Sequence, residues 1–100
     1  MEDYELTQAA QDDVEDIIET IAADDLNTAR KFEEEVYRAF QRLAENPHAG
    51  HARTDLTDRP VFFLTVMRSF TVIYRKSTPV LIVRVVRWKR VTQSFLFQEA

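Results

Sequence analysis

The feature that most constrains the fold is a run of β-forming residues at positions 70–86. Valine, isoleucine, phenylalanine and tyrosine dominate this run, and such side chains pack well on the pleated surface of a sheet. A polar break at residues 76–79 interrupts the run once, and its proline cannot donate a hydrogen bond inside a ladder. The run therefore predicts two antiparallel strands, residues 70–75 and 80–88, joined by a tight loop.

Two amphipathic helices are predicted upstream of these strands. Residues 8–23 carry apolar side chains at helical spacing, and Thr7 in front of them is a suitable N-cap. Residues 28–45 carry a second apolar stripe, which ends at Asn46 because the residue before a proline avoids the α conformation. The connection between the two stripes is short, so the helices must form an antiparallel hairpin. Residues 3–6 alternate in polarity and predict a short edge strand.

Residues 61–67 supply one more strand, so the whole chain predicts a single α+β domain over residues 1–100. Its order is an N-terminal strand, an antiparallel helix hairpin and a three-stranded antiparallel sheet, with the helices covering one sheet face. Simple alternation along the last strand places Leu81, Val83 and Val85 against the helices. The same alternation places Arg84 and Trp88 on the opposite, open face.

The loop at residues 47–53 holds both histidines and the only glycine. A turn at Gly50 with positive φ is expected there. His48 and His51 are three residues apart, but the chain has no cysteine, and Asp55 is the only acidic residue close by in sequence. This set of ligands does not suffice for a metal site, so we expect no metal and no cofactor.

Charge is distributed unevenly between the two halves of the chain. Residues 1–46 hold 14 acidic and 4 basic side chains, a net charge of −10, whereas residues 47–100 hold 9 basic and 3 acidic ones, a net charge of +6. This polarity predicts a basic face on the sheet half of the protein. The overall charge of −4 argues against strong direct binding to nucleic acid, because affinity for a polyanion grows with the number of phosphates neutralised.

Several classes of protein are disfavoured by composition alone. No apolar run approaches the roughly 20 residues that a membrane-spanning helix needs, so no membrane association is expected. The N-terminus is acidic and lacks the basic and apolar regions of a signal peptide. The absence of cysteine is compatible with a reducing compartment, and we expect a cytoplasmic protein.

Five segments carry a family resemblance, and in chain order they are Thr7 with Ala10, Ala29 with Phe32, and residues 43–50, 72–75 and 82–86. In their order and spacing, over nearly the whole chain, they resemble the RelE/ParE toxin superfamily. The helix lengths and the loop from Pro47 to Gly50 are more similar to its ParE branch. The chain departs from that branch after the last strand, where Arg87 and Trp88 stand in place of a histidine-glycine step.

The resemblance implies a toxin of a type II toxin–antitoxin module, neutralised by a small cognate antitoxin. Toxins of the ParE branch inhibit DNA gyrase by protein contact, whereas toxins of the RelE branch are endoribonucleases that cut messenger RNA on the ribosome. A third alternative is a non-toxic relic that only binds its antitoxin. These three alternatives differ in what they require of the basic residues.

Cleavage of RNA without a metal needs cations to stabilise the phosphorane and a group that transfers a proton. Arg53, Arg68 and Arg84 would be the phosphate-binding cations of such an enzyme. No proton-transfer group accompanies them in sequence, because the aromatic residues of the tail are Phe95 and Phe97. We therefore expect no catalytic residue and favour the gyrase inhibitor.

For that inhibitor, arginine beside tryptophan is typical of an interface anchor. The predicted target-contact residues are Arg84, Arg87, Trp88, Lys89, Arg90 and Phe95, with Arg53 and Arg68 as further basic-face candidates.

Overall fold

A four-stranded sheet with a helical hairpin on one face makes up the described chain. A computed structural model describes residues 4–87. The elements are β1 (Tyr4–Leu6), α1 (Gln8–Ala22), α2 (Leu26–Glu45), a 3-10 turn (Pro47–Ala49), β2 (Phe62–Val66), β3 (Phe70–Arg75) and β4 (Val80–Arg87). This order confirms the predicted α+β fold. Within residues 4–87, no helix is long and apolar enough to cross a membrane.

The strands lie side by side in the order β1-β4-β3-β2. β2 and β4 flank β3, and both pairings are antiparallel, as expected. β1 runs parallel to β4 and pairs with it only over Val80 to Ile82. The N-terminal strand therefore adds a fourth strand to the predicted three. Among residues 4–87, no strand pairs with the outer edge of β4 beyond Ile82.

Each helix begins at a side chain that accepts hydrogen bonds from first-turn amides. The hydroxyl of Thr7 accepts from the amide of Ala10 at 3.0 Å, and the carboxylate of Asp25 accepts from the amides of Asn27 and Thr28. These bonds satisfy donors that the first turn of a helix leaves without partners. Thr7 is the predicted N-cap, and the second helix begins two residues earlier than predicted.

The main core lies between the helical hairpin and the sheet. Phe32 of α2 packs on Phe70 of β3 with ring centroids 4.7 Å apart, and Tyr4 of β1 packs on Phe40 at 5.4 Å. The fully enclosed side chains of α2 are those of the predicted stripe, Phe32, Val36, Phe40 and Leu43. Burying an aliphatic or aromatic side chain of this size contributes about 1.5–3 kcal/mol, so α2 supplies much of the folding free energy.

The reverse face of the sheet carries a second, smaller apolar cluster. It consists of Val61, Phe63, Ile73 and Val86, with Leu56 and Val83 packed against them. Ile73 is completely buried. The expectation of an open reverse face is therefore wrong for the central strands, because the apolar side chains on that face are buried.

A β-bulge in β4 explains why simple alternation failed. Ile73 pairs with Arg84 and Tyr74 pairs with Ile82, so Val83 is an extra residue in the strand. An extra residue reverses the facing of every side chain on one side of it. Val80 and Ile82 consequently join Val85 in the main core, whereas Val83 packs with the reverse cluster.

Left-handed backbone occurs in the β2–β3 turn and not at the glycine. Gly50 has φ −89°, so the expected positive φ is wrong. Met67 and Arg68 have φ 53° and 62° instead. An L-residue in this region costs about 1–2 kcal/mol because its Cβ crowds the following carbonyl oxygen. The β2–β3 turn is thus the strained segment of the described chain.

Candidate target-contact surface

The guanidinium of Arg84 is bound by helix α1. Its Nε donates to Oδ2 of Asp13 at 2.7 Å and its Nη2 donates to Oδ1 at 2.9 Å. The two side chains are only 21% and 16% exposed. Hydrogen bonding to Asp13 is the main cause that raises the pKa of Arg84. The guanidinium of Arg84 is therefore not open to solvent as predicted, and its role as a target contact stays a prediction.

The carboxylate of Asp13 also binds a backbone group on the outer edge of β4. Oδ2 of Asp13 also accepts from the amide of Val85 at 3.0 Å. Six residues earlier, the amide of the N-cap Thr7 donates to the carbonyl of Ile82, and its hydroxyl donates to the carbonyl of Val83 at 2.7 Å. α1 thus satisfies edge groups that β1 is too short to pair. The sequence analysis did not identify this role of Asp13, because nothing local in the sequence marks it.

Arg87 is exposed at the end of β4. Its Cζ lies 5.7 Å from the ring centroid of Phe70, which is the residue opposite it on β3. Beside it is an open groove of about 400 Å³ between α1 and β4. The groove is lined by Asp13, Asp16, Ile17, Thr20, Val85, Val86 and Arg87. The contact with Phe70 leaves the donors of this guanidinium available to a partner.

Arg68 lies at the same end of the sheet as Arg87. Val66 pairs with Phe70, and Phe70 pairs with Arg87, so the turn that carries Arg68 directly precedes the residue opposite Arg87. Arg68 is exposed. The structure therefore brings together one predicted target-contact residue and one basic-face candidate.

Arg53 is separate from this end of the sheet. Its Nε and Nη2 donate to the two carboxylate oxygens of Asp55 at 2.9 and 2.8 Å. The pair lies in the loop after the bridge between His51 and Phe63, on the outer side of β2. Hydrogen bonding to Asp55 raises the pKa of Arg53. The Nε and Nη2 groups of Arg53 are thus already bound to a carboxylate of the same loop.

Four predicted contact residues lie outside the described residues, namely Trp88, Lys89, Arg90 and Phe95. Their roles stay predictions. They come soon after Arg87 in the sequence, at positions 88 to 95. This closeness in sequence is the reason to keep them in the contact set.

Tyr74 and His48, two groups that could transfer a proton, lie away from Arg68 and Arg87, whereas the carboxylate of Asp16 lines the groove beside Arg87. Tyr74 is completely buried, donates to the carbonyl of Pro47 at 2.6 Å and accepts from the amide of Gly50 at 2.9 Å. Nδ1 of His48 is 3.1 Å from Nζ of Lys76. Within residues 4–87 there is also no group of three acidic, histidine or cysteine side chains that could hold a metal ion.

Burial raises the pKa of Tyr74 above its ordinary value of 10.0. A raised pKa in the folded state means that the neutral hydroxyl stabilises the fold fully below pH 10. That contribution is lost as the pH rises through the folded-state pKa. We therefore expect urea midpoints to fall above about pH 10, where free tyrosine ionises.

The Tyr74→Phe variant isolates this titration from those of lysine and of the other tyrosines. Its urea midpoint is expected to be lower than that of the parent at neutral pH, with a shallower decline above about pH 10. Equal slopes for parent and variant in that alkaline range would contradict the assignment.

Comparisons with known proteins identify the family of this chain. The family model of the ParE toxin of the type II toxin–antitoxin system parDE matches residues 4–91. The chain therefore belongs to the ParE toxin family, which makes it a toxin of the type II toxin–antitoxin class and confirms the resemblance seen in its sequence. A search of curated proteins finds no match.

Among solved structures, a chain of the chromosomal ParDE TA system from P. aeruginosa has the same fold. The similarity has a TM-score of 0.70 at 22% identity, and it covers 87% of this chain and 96% of that one.

Proposed function

We propose that this toxin inhibits DNA gyrase by direct protein contact and that a cognate antitoxin neutralises it. The proposal places the protein in the cytoplasm, where gyrase acts on DNA. The observation that carries it is the pair of exposed arginines, Arg68 and Arg87, at the end of the sheet from which the C-terminal segment continues. This surface suits a contact with another macromolecule, since arginine is enriched among residues that dominate interface energies.

Three features favour contact over RNA cleavage. Arg53 and Arg84, two of the three arginines that an endoribonuclease would use, are already bound to carboxylates. Tyr74 is buried and its pKa is raised, so it does not supply a base at neutral pH. His51 pairs with Phe63 on the outer side of β2, two strands away from Arg87.

The antitoxin is proposed to bind at the opposite edge of the sheet. β1 is an edge strand, and no strand within residues 4–87 pairs with its outer side. A groove of about 580 Å³ runs beside it, lined by Tyr4, Glu5, Leu6, Gln11, Glu15 and Tyr37. An added strand or a helix laid across this groove would use the backbone groups of β1 and the aromatic ring of Tyr37.

The test is a DNA supercoiling assay with purified gyrase and the full-length toxin. We expect supercoiling to be inhibited by the toxin and restored when the product of the adjacent gene is added. The physical reason is steric, because on a domain of 100 residues a bound antitoxin would overlap with the bulk of gyrase even though the two contact surfaces differ. Unchanged supercoiling at micromolar toxin contradicts the proposal.

Two companion measurements separate the alternatives. Primer extension after induction reveals new 5′ ends on messages if the toxin is a ribosome-dependent endoribonuclease. Growth arrest on expression without the adjacent gene excludes a non-toxic relic. Arrest without new 5′ ends, together with inhibited supercoiling, is the expected combination.

A further inference from the structure

Some of the described arginines are bound to carboxylates and others are not, and the sequence does not distinguish the two kinds. Arg38, Arg53 and Arg84 each form an ion pair with a carboxylate of this chain. The guanidinium groups of Arg68 and Arg87 form no ion pair and no hydrogen bond within residues 4–87. Two cations at one end of the sheet are therefore available to an external anion.

The backbone that displays Arg68 is strained. Arg68 and Met67 both have left-handed φ angles, a conformation that glycine, asparagine and aspartate tolerate far better. Met67 packs against the main core, which offsets its own strain. Arg68 is exposed and gains no such contact. Strain that is retained at an exposed residue points to a function for that residue's position.

The sheet register places the two arginines at the same end of the sheet, on either side of Phe70. Phe70 lies directly opposite Arg87 on strands about 5 Å apart, and Arg68 is two residues before Phe70. The side chain of Phe70 is buried and packs against Phe32, so the residue between the two arginines is held in place. Two arginine side chains that extend from neighbouring positions at one end of a sheet can both donate to one carboxylate, which a guanidinium binds through parallel N–H groups.

The charges nearby select a protein carboxylate over a nucleic-acid backbone. The groove beside Arg87 is lined by Asp13 and Asp16, and Asp13 is already bound to Arg84 and to the amide of Val85. Asp16 leaves negative charge close to Arg87 on the helix side. A run of phosphates would be repelled by α1, whereas a single carboxylate reaches the two arginines without passing over it.

From these observations we propose that Arg68 and Arg87 form a two-arginine clamp, which binds an acidic side chain of the toxin's target protein. The strained turn at Met67 and Arg68 positions the first of these arginines. This inference rests on the proposed function, because it takes the target to be a protein that is bound by contact. It adds the chemical group on the target and the two residues that recognise it.

Glycine at position 68 provides a sharp test, because it removes the cation and fits the backbone. We expect Arg68→Gly to raise the toxin concentration that half-inhibits gyrase by about tenfold, while its thermal midpoint stays equal to or above that of the parent. Arg87→Gln is expected to have a similar effect. The double variant should lose less than the product of the two single effects, since both arginines bind one group.

Arg75→Gln is the matched control. Arg75 is exposed at the other end of β3 and forms no ion pair within the described residues, so the same loss of charge there is expected to leave inhibition unchanged. An equal effect of Arg75→Gln would show that net charge alone matters, which would overturn the clamp. Binding of the toxin to duplex DNA alone, weakened by Arg68→Gly, would also overturn it.

The remaining outcomes separate this inference from the proposed function. If the parent inhibits gyrase and Arg68→Gly inhibits it equally, the clamp is wrong and the gyrase proposal stands. If the parent arrests growth without inhibiting gyrase, the gyrase proposal is wrong, and full growth arrest by Arg68→Gly would then overturn the clamp as well. A parent that does neither overturns both.

Discussion

Replacing Asp13 with alanine is expected to lower the free energy of unfolding by about 2–4 kcal/mol. The carboxylate accepts two hydrogen bonds from Arg84 and one from the amide of Val85. Its loss leaves a guanidinium that is only 21% exposed without its anion, and it leaves a strand amide without an acceptor. Urea denaturation followed by circular dichroism measures the change.

Asp16→Ala is the control for this prediction. Asp16 is exposed on the same helix, so the substitution changes net charge and helix propensity in the same way. It is expected to change stability by no more than about 0.5 kcal/mol. Equal losses from the two substitutions would mean that the ion pair with Arg84 adds nothing beyond general electrostatics.

A double-mutant cycle divides the contribution of Asp13 between its two roles. Arg84→Met alone leaves the carboxylate on the amide of Val85, so it should cost less than Asp13→Ala. The combined variant should be less destabilised than the sum of the single effects, because no buried charge remains without a partner. It still lacks an acceptor for Val85, so it should remain below the parent in stability.

The helices and the central strand could be read from the sequence because each depends on local signals. Thr7 caps the first helix, Pro47 ends the second, and the apolar stripe at Phe32 and Phe40 follows helical spacing. β3 has the predicted bounds, since its residues are β formers between polar turns. The family resemblance rested on the same local segments and is confirmed by the family match.

The candidate surface could be read less well because it depends on pairings between distant residues. A single bulge at Val83 reverses the facing of half of β4, and periodicity within one strand does not reveal it. Asp13 and Arg84 are 71 positions apart, so their ion pair has no local signature. The placement of Arg68 and Arg87 at one end of the sheet likewise follows only from the register of three strands. Composition predicted a basic sheet half, but it does not indicate which cations are already paired.

The second large effect is expected from Gly50→Ala, which should destabilise the protein by about 2–4 kcal/mol. Backbone conformation is not the reason, since φ −89° suits alanine. A Cβ at this position would lie 2.6 Å from the hydroxyl oxygen of Tyr74, 2.7 Å from its Cε1 and 2.8 Å from the carbonyl oxygen of Phe63. Tyr74 is completely buried and the carbonyl belongs to a strand, so neither can move away.

The experiment compares urea midpoints of Gly50→Ala, of Tyr74→Phe and of the double variant, with Ala52→Ser as a control at an exposed position of the same loop. Tyr74→Phe leaves the carbonyl of Pro47 and the amide of Gly50 without partners and should cost about 1–3 kcal/mol. In its background the new methyl no longer meets a hydroxyl, so Gly50→Ala should cost about 1 kcal/mol less than in the parent. Strictly additive losses would contradict a steric conflict with that hydroxyl.

The same variants should reduce gyrase inhibition only as far as they reduce the folded fraction, because this junction joins α2 to the sheet and lies away from Arg68 and Arg87.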